Sequence, residues 1–167
     1  GAGAALVVPS SLALLNAGRD GDLVQMPKTG AEFNRVVREI EATLSATGAI
    51  AATIREESTG QRAVDERRSY RGMSRPDWNS MIEGWITRGA PGVAVRNIEA
   101  VDDEGHRFEI KVDFVGPRYG QIMNNRLLVF RPAVVSRSGF ALTSQTRQSP
   151  IWLDSISIEE TSRFILP

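Results

Sequence analysis

The chain has no cysteine and only one histidine, His106, among its 167 residues. Without cysteine there is no thiolate nucleophile, no disulfide and no cysteine-ligated metal site. A serine-histidine-acid triad or a histidine-rich metal cluster would depend entirely on His106. These absences favour a binding or accessory module over an enzyme, and we expect no catalytic residue, no cofactor and no bound metal in this chain.

The sequence also lacks an excess of charge of one sign and a long apolar run. Twenty Lys and Arg residues balance twenty Asp and Glu residues, so we do not expect the electropositive surface that nucleic-acid binding requires. The apolar opening from Ala4 to Leu15 is interrupted by Pro9, Ser10 and Ser11, and it is shorter than the roughly 18 to 20 apolar residues of a membrane span. We therefore expect neither a nucleic-acid partner nor a membrane span here.

A change of pattern near residue 31 divides the chain. Before it, apolar runs flank Asp20-Gly21, a dipeptide typical of a hairpin turn. The segment from Pro27 to Glu32 then breaks the pattern in the manner of a linker. We predict a hairpin-like unit plus linker over residues 1–31 and a β-rich domain over residues 32–167. Because the chain begins Gly1-Ala2-Gly3 without methionine, we expect a fragment or a processed chain.

Alternation with period two predicts most of the second domain to be strands. From Val36 to Ala46 and again from Ile50 to Glu57, apolar and polar residues alternate on either side of Thr47-Gly48, which favours a long β-hairpin. Further strands are predicted over Val93–Val101, His106–Val115, Tyr119–Met123, Arg126–Phe130 and Ile156–Leu166, with a long loop over Ser136–Ser149.

Two helices are expected between these strands. The first is short and charged, from Arg62 to Tyr70. The second begins after Ser74, with Pro76 in its first turn, and ends at Gly89. Its apolar stripe consists of Trp78, Met81, Ile82, Trp85 and Ile86. The pattern predicts an α+β, mostly β fold: an antiparallel β-sandwich or curled sheet with one or two helices packed on it.

The three tryptophans divide into two classes. Trp78 and Trp85 lie seven residues apart in the apolar stripe, so we expect both under the sheet rather than on an exposed platform. Trp152 lies out of parity between Ile151 and Leu153, which favours an exposed or interfacial position.

Arginines cluster around the first predicted helix: Arg62, Arg67, Arg68, Arg71 and Arg75. Such a patch is suited to an anionic partner or a lipid head group, although the interspersed Asp65 and Glu66 favour ion pairs along a solvated helix face. The candidate interaction surface consists of Trp152, Tyr119, Arg67 and Arg71.

His106 follows the acidic residues Asp102, Asp103 and Glu104. These side chains could carry a proton or bind calcium through oxygen ligands, but the calcium-loop pattern is absent and an exposed turn is favoured. Two alternatives to an accessory role stay open. One is a glycan-binding β-sandwich that uses Trp152 and Tyr119, and the other is a hydrolase that uses His106 with Ser136 or Ser138.

The order of several short segments resembles a known family. These segments are Ala4–Val8, Leu23–Pro27, Asn34-Arg35, Tyr70-Arg71-Gly72, Gly89–Gly92 and Arg147–Pro150. Together they span essentially the whole chain. They look similar to the C-terminal end of long bacterial proteins in which a papain-like transglutaminase core is flanked by domains of unknown function.

The resemblance implies that residues 1–31 contain the closing strands of an upstream core. The family's Cys-His-Asp triad cannot be carried over, because the chain has no Cys and His106 lies in a predicted terminal-domain hairpin. The resemblance implies a non-catalytic accessory or protein-interaction module. This module would pack against, or present substrate to, a peptide-processing core or another protein. The resemblance also implies an extracytoplasmic, periplasmic location, whereas the composition leaves the compartment open.

Overall fold

The computed structural model describes residues 12–17, 20–25, 30–124, 126–132, 134–135 and 155–167. Within these ranges the elements are, in chain order, β1 Leu12–Ala17, β2 Asp20–Gln25, a 3-10 turn Ala31–Phe33, β3 Arg35–Leu44, β4 Ile50–Thr59, α1 Gln61–Gly72, α2 Arg75–Gly89, β5 Ala94–Asp102, β6 Arg107–Gly116, β7 Gln121–Met123, β8 Leu127–Val129 and β9 Ser157–Ile165. None of the helices in this part of the chain is both long and apolar enough to cross a membrane.

Five of the strands form one open sheet in the order β5-β6-β4-β3-β9. Neighbouring strands are antiparallel except for β3 and β9, which are parallel. Two-stranded ribbons form separately from β1 with β2 and from β7 with β8. The predicted α+β, mostly β fold class is confirmed, and its sheet is mixed because β9 enters beside β3 in parallel.

One face of the sheet is apolar and lies under the helices. The alternation predicted for the β3–β4 hairpin and for β6 is present, so that every second residue of each strand is buried. Ile40 lies opposite Ile54, which in turn lies opposite Val112. The helices close this face, with Trp78, Ile82 and Ile86 of α2 buried on it. The opposite face carries mostly polar and charged side chains.

The ends of the helices follow from local sequence. The Ser74 hydroxyl accepts a hydrogen bond from the Asp77 N–H at 3.3 Å, and Pro76 lies in the first turn of α2, as the capping pattern predicts. Helix α1 has Gly60 as its N-cap residue, which offers no side chain to cap it. The side chain of Asn34 accepts from the Arg62 N–H at 2.9 Å instead.

Two details differ from the sequence-based expectations. Asp20 and Gly21 lie within β2, opposite Ala17 and Asn16, rather than in the turn of the first hairpin. The α2 stripe is also narrower than predicted, because Met81 is exposed and Trp85 is only half-buried. Trp78 alone of the two helix tryptophans is fully enclosed, with its ring 5.0 Å from that of Tyr70.

Candidate functional site

The ribbon formed by β7 and β8 exposes apolar side chains on both of its faces. Met123 lies opposite Leu127, and Ile122 lies opposite Leu128 on the other face. The exposed large side chains, with their exposed fractions, are Ile122 at 44%, Met123 at 53%, Leu127 at 56% and Val129 at 44%. We call residues 121–123 and 127–129 the apolar ribbon. A cluster of this kind on a folded surface is typical of a contact site.

The apolar ribbon is held against the turn between β3 and β4. The carbonyl oxygen of Gly48 accepts hydrogen bonds from the N–H groups of Tyr119 at 2.9 Å and Gly120 at 2.8 Å. Gly48 has a φ of +80°, and a Cβ atom there would lie 2.2 Å from the Gly120 carbonyl oxygen. Gly48 therefore allows both the left-handed turn and the close approach of the chain that leads into β7.

Tyr119 lies at the base of the apolar ribbon rather than on an open surface. Its ring is half-buried against the core, and its hydroxyl donates a hydrogen bond to the Arg131 carbonyl oxygen beyond β8. Burial raises the pKa of this hydroxyl, and the nearby Arg131 charge lowers it by less. Tyr119 thus ties together the two ends of the β7–β8 segment.

Arg67 of α1 binds the turn between β5 and β6. Its Nε donates to the Asp102 carboxylate at 2.6 Å, and one terminal nitrogen donates to the carbonyl oxygens of Gly105 and Arg107, each at 3.0 Å. Only 15% of its side chain is exposed. The guanidinium of Arg67 is therefore committed to bonds within the fold.

Arg71, one turn further along α1, binds the same hairpin. It donates to the Asp102 carboxylate at 2.7 Å and to Glu104 at 3.1 Å. Burial alone would raise the pKa of Asp102, but hydrogen bonds from Arg67, the Glu104 N–H and Arg71 hold it below its usual value. Arg71 is half-exposed, so this residue, unlike Arg67, retains open surface.

The predicted ion pairing of the α1 arginines is only partly local. Arg62 pairs with Glu66 and Arg68 pairs with Asp65 within the helix. Arg67 and Arg71 instead bind the β5–β6 turn. This turn lies more than 30 residues away in the sequence, so local patterns do not predict the contact. The structure brings these two arginines together, but none of the contacts described above links them to Tyr119.

The other candidates divide by position in the chain. His106 is exposed in the β5–β6 turn. Trp152, Ser136 and Ser138 lie outside the described residues. Among the residues that the structure does describe, no three His, Asp or Glu side chains are grouped closely enough to hold a metal ion.

Sequence patterns did not predict a buried ion cluster formed by Arg38, Glu56 and Glu160. Arg38 donates to Glu56 at 2.7 Å and to Glu160 at 2.8 Å, and its guanidinium carbon lies 5.2 Å from the centre of the Trp85 ring. At most 10% of any of the three side chains is exposed. One sequence pattern does indicate that Arg38 is buried. Arg38 falls on the same side of the alternating strand β3 as its buried apolar residues.

Glu66 of α1 lies close enough to this cluster for the Glu56 carboxylate to affect its pKa. Burial raises the pKa of Glu66, its ion-pair partner Arg62 lowers it, and the carboxylates of Glu56 and Asp65 raise it further. A carboxylate in such a place is costly to ionise. The buried ions are bonded to one another, so they support the fold rather than present a reactive group.

Comparison of the chain with protein-family models, curated proteins and solved structures found no match. The outer face of the sheet carries exposed ion pairs, such as Arg163 with Glu41 at 3.9 Å, whereas the apolar ribbon offers side chains whose burial is favourable. The apolar ribbon is therefore a candidate contact surface.

Proposed function

We propose that the chain is a non-catalytic accessory module that contacts a protein partner through the apolar ribbon. In this proposal the partner is the transglutaminase-like, peptide-processing core that the sequence resemblance implies upstream, in an extracytoplasmic bacterial protein. Catalysis then belongs to that core. The observation that carries the proposal is the exposure of Ile122, Met123, Leu127 and Val129 on a ribbon anchored at Gly48.

The geometry of the apolar ribbon supports a protein contact. An isolated two-stranded ribbon is marginally stable in water, and its bonds to the β3–β4 turn and to Arg131 fix its base. Ordering costs at an interface are smaller for a segment that is already held in place. Leu128 packs against the chain's own core, so a partner would cover the opposite face, which presents Met123, Leu127 and Val129.

Protein binding is favoured over glycan binding by the position of Tyr119. A sugar site needs an open aromatic face together with polar groups that are free to bond. The Tyr119 ring is half-buried and its hydroxyl already donates to Arg131. The other aromatic residue of the glycan-binding alternative, Trp152, lies outside the described residues, so the alternative is tested by experiment.

The proposal predicts that Met123→Ser with Leu127→Ser weakens binding to the separately produced upstream core. Both side chains are more than half exposed, so the chain should keep its fold while the apolar contact is lost. We expect Kd to rise by roughly tenfold or more, which corresponds to about 1.4 kcal/mol or more. Calorimetric titration gives Kd, and hydrogen exchange should show protection of residues 121–129 on binding.

Val101→Ser is the matched control, because Val101 is 51% exposed but lies on β5. It should leave Kd unchanged. Equal weakening by both variants, or the absence of a transglutaminase-like core from the coding sequence before Gly1, would contradict the proposal. Retention of the wild-type chain on a polysaccharide panel, lost in Tyr119→Ala and kept in the ribbon variant, would favour the glycan-binding alternative.

A further inference from the structure

Strand β9 lies at one edge of the five-stranded sheet. Among the described strands it pairs only with β3, and its register is continuous over nine residues. Ile158 is 59% exposed and Ile165 is 62% exposed. The other edge strand, β5, is interrupted by a register shift between Val95 and Asn97, a device that discourages edge pairing. We call the side of β9 that faces away from β3 the open edge.

The backbone of β9 presents alternate residues to the open edge. The N–H of Ser157 donates to the Asn34 carbonyl oxygen at 2.9 Å, so Ser157 directs its backbone groups toward β3. In a parallel ladder such residues alternate with residues that direct their groups the other way. The outward set is Ile158, Glu160, Ser162 and Phe164. Their N–H and C=O groups form a template for another strand.

We infer that the open edge of β9 pairs with β9 of a second copy of this chain, antiparallel and related by a two-fold axis at Thr161. This register places Ser157 opposite Ile165, Ile158 opposite Phe164, Glu159 opposite Arg163, Glu160 opposite Ser162, and Thr161 opposite its own copy. The two five-stranded sheets join into one, with the helices of both copies on the same side.

Charge and symmetry select this register. A two-fold axis normal to the sheet keeps equivalent faces together, so opposed residues must have the same parity. With Thr161 at the centre, Glu159 meets Arg163 of the other copy on both sides of the axis, and opposite charges across strands are favourable. Centring the pair on Glu160 would instead oppose two buried carboxylates, and centring it on Ser162 would oppose Glu160 to Phe164.

Neighbouring strands extend this pattern of charge. Within one copy Glu159 pairs with Arg35, and Arg163 lies 3.9 Å from Glu41. The contact therefore continues a row of alternating charge across the outer face, from Glu41 and Arg163 of one copy to Glu159 and Arg35 of the other. A second copy supplies this complement by symmetry, which is why we infer it rather than an unrelated strand.

Charge reversal tests the register. Glu159→Arg places arginine at both 159 and 163 of each β9, and Arg163→Glu places glutamate at both positions, so each variant alone should dimerise more weakly. Mixed together, the two variants should form a heterodimer, because every facing pair is again of opposite charge. Sedimentation equilibrium should show the dimer Kd raised by roughly tenfold or more for each single variant and restored in the mixture. Circular dichroism checks that each variant is folded.

The matched control is Glu99→Arg, which makes the same charge change on the outer face of β5 and should leave the dimer intact. The ribbon variant Met123→Ser with Leu127→Ser should also remain dimeric, which separates this inference from the proposed function. A wild-type chain that is monomeric, a Glu159→Arg chain that dimerises with the wild-type Kd, or a mixture that dimerises no more tightly than the single variants would each overturn the inference.

Discussion

At the scale of single residues, Arg38 is a buried cation on the core side of the sheet, and its charge is balanced by two buried carboxylates. Its guanidinium is the cation that Glu56 and Glu160 share, and the Trp85 ring packs over it. A buried ion pair can cost as much in desolvation as it gains in attraction, yet removing one partner leaves uncompensated charge. The stability of the β3–β9 edge therefore depends on Arg38 far more than on exposed arginines in the same sheet.

Arg38→Met is expected to lower the free energy of unfolding by about 3–5 kcal/mol, because two carboxylates lose their buried partner. Arg55→Met is the control, since Arg55 pairs with Glu109 but is 58% exposed, and it should cost less than about 1 kcal/mol. Urea unfolding measures both values. Similar losses from the two substitutions would show that the buried cluster has no special weight.

At the scale of elements, the β3–β4 turn is also the support of the apolar ribbon. Gly48 and Gly92 both have positive φ, +80° and +81°. They differ in their surroundings, because a Cβ atom at Gly48 would collide with the Gly120 carbonyl oxygen, whereas one at Gly92 would meet nothing within 4 Å. Alanine at Gly92 therefore tests the cost of the left-handed backbone alone. Alanine at Gly48 adds the cost of a collision with Gly120.

Gly92→Ala should destabilise the protein by about 1–2 kcal/mol through the left-handed backbone alone. Gly48→Ala should cost more, and it should also speed hydrogen exchange at the Tyr119 and Gly120 amides, whose acceptor is the Gly48 carbonyl. Thermal unfolding and amide exchange measure the two effects. Unchanged exchange at residues 119 and 120 in Gly48→Ala would contradict the anchoring of the ribbon.

Sequence patterns predicted elements well where the partners are local. Alternation around Thr47-Gly48 predicted the β3–β4 hairpin, and Ser74 with Pro76 predicted the start of α2. Strand β9 was expected from its alternation too, but its parallel pairing with β3 was not, because no local pattern connects residues 122 apart. For the same reason, the sequence does not predict the hydrogen bond between Arg38 and Glu160.

The candidate site was predicted only in outline. The sequence predicts a strand pair where β7 and β8 lie, and the aromatic side chain of Tyr119 makes it a candidate interaction residue. Its position at the base of the ribbon depends on the Gly48 and Arg131 carbonyl oxygens, and carbonyl groups leave no signature in a sequence. The charge of Arg67 makes it a candidate in the sequence, yet its partners lie on a turn more than 30 residues away.

At the scale of the whole molecule, two carboxylates give stability opposite dependences on pH. The folded-state pKa of Glu66 is raised by burial, so its contribution is present below its ordinary value of 4.5 and is lost as pH rises through the folded value. The folded-state pKa of Asp102 is lowered, so its contribution is present above its ordinary value of 3.8 and is lost as pH falls through the folded value.

Glu66→Gln should therefore raise the free energy of unfolding at neutral pH, because the buried charge is removed while an oxygen remains to accept from Arg62. The difference from wild type should shrink as pH falls toward 4.5. Urea unfolding across this range measures it. Asp65→Asn, on the exposed side of the same helix turn, is the control and should change stability by less than about 0.5 kcal/mol. A loss of stability in Glu66→Gln at neutral pH would contradict this account of the burial cost.

The parallel pairing of β9 with β3 also has a consequence for the order of folding. The β3–β4 hairpin closes over five residues, whereas the pair of β3 with β9 joins segments 122 residues apart, at a much larger entropic cost of loop closure. The hairpin is thus favoured to form early and β9 to join late. Until β9 pairs with β3, the charge of Arg38 is balanced by Glu56 but not by Glu160. In that state β3 is itself the exposed edge of the sheet. During that interval the nascent domain is most vulnerable to pairing with the wrong strand.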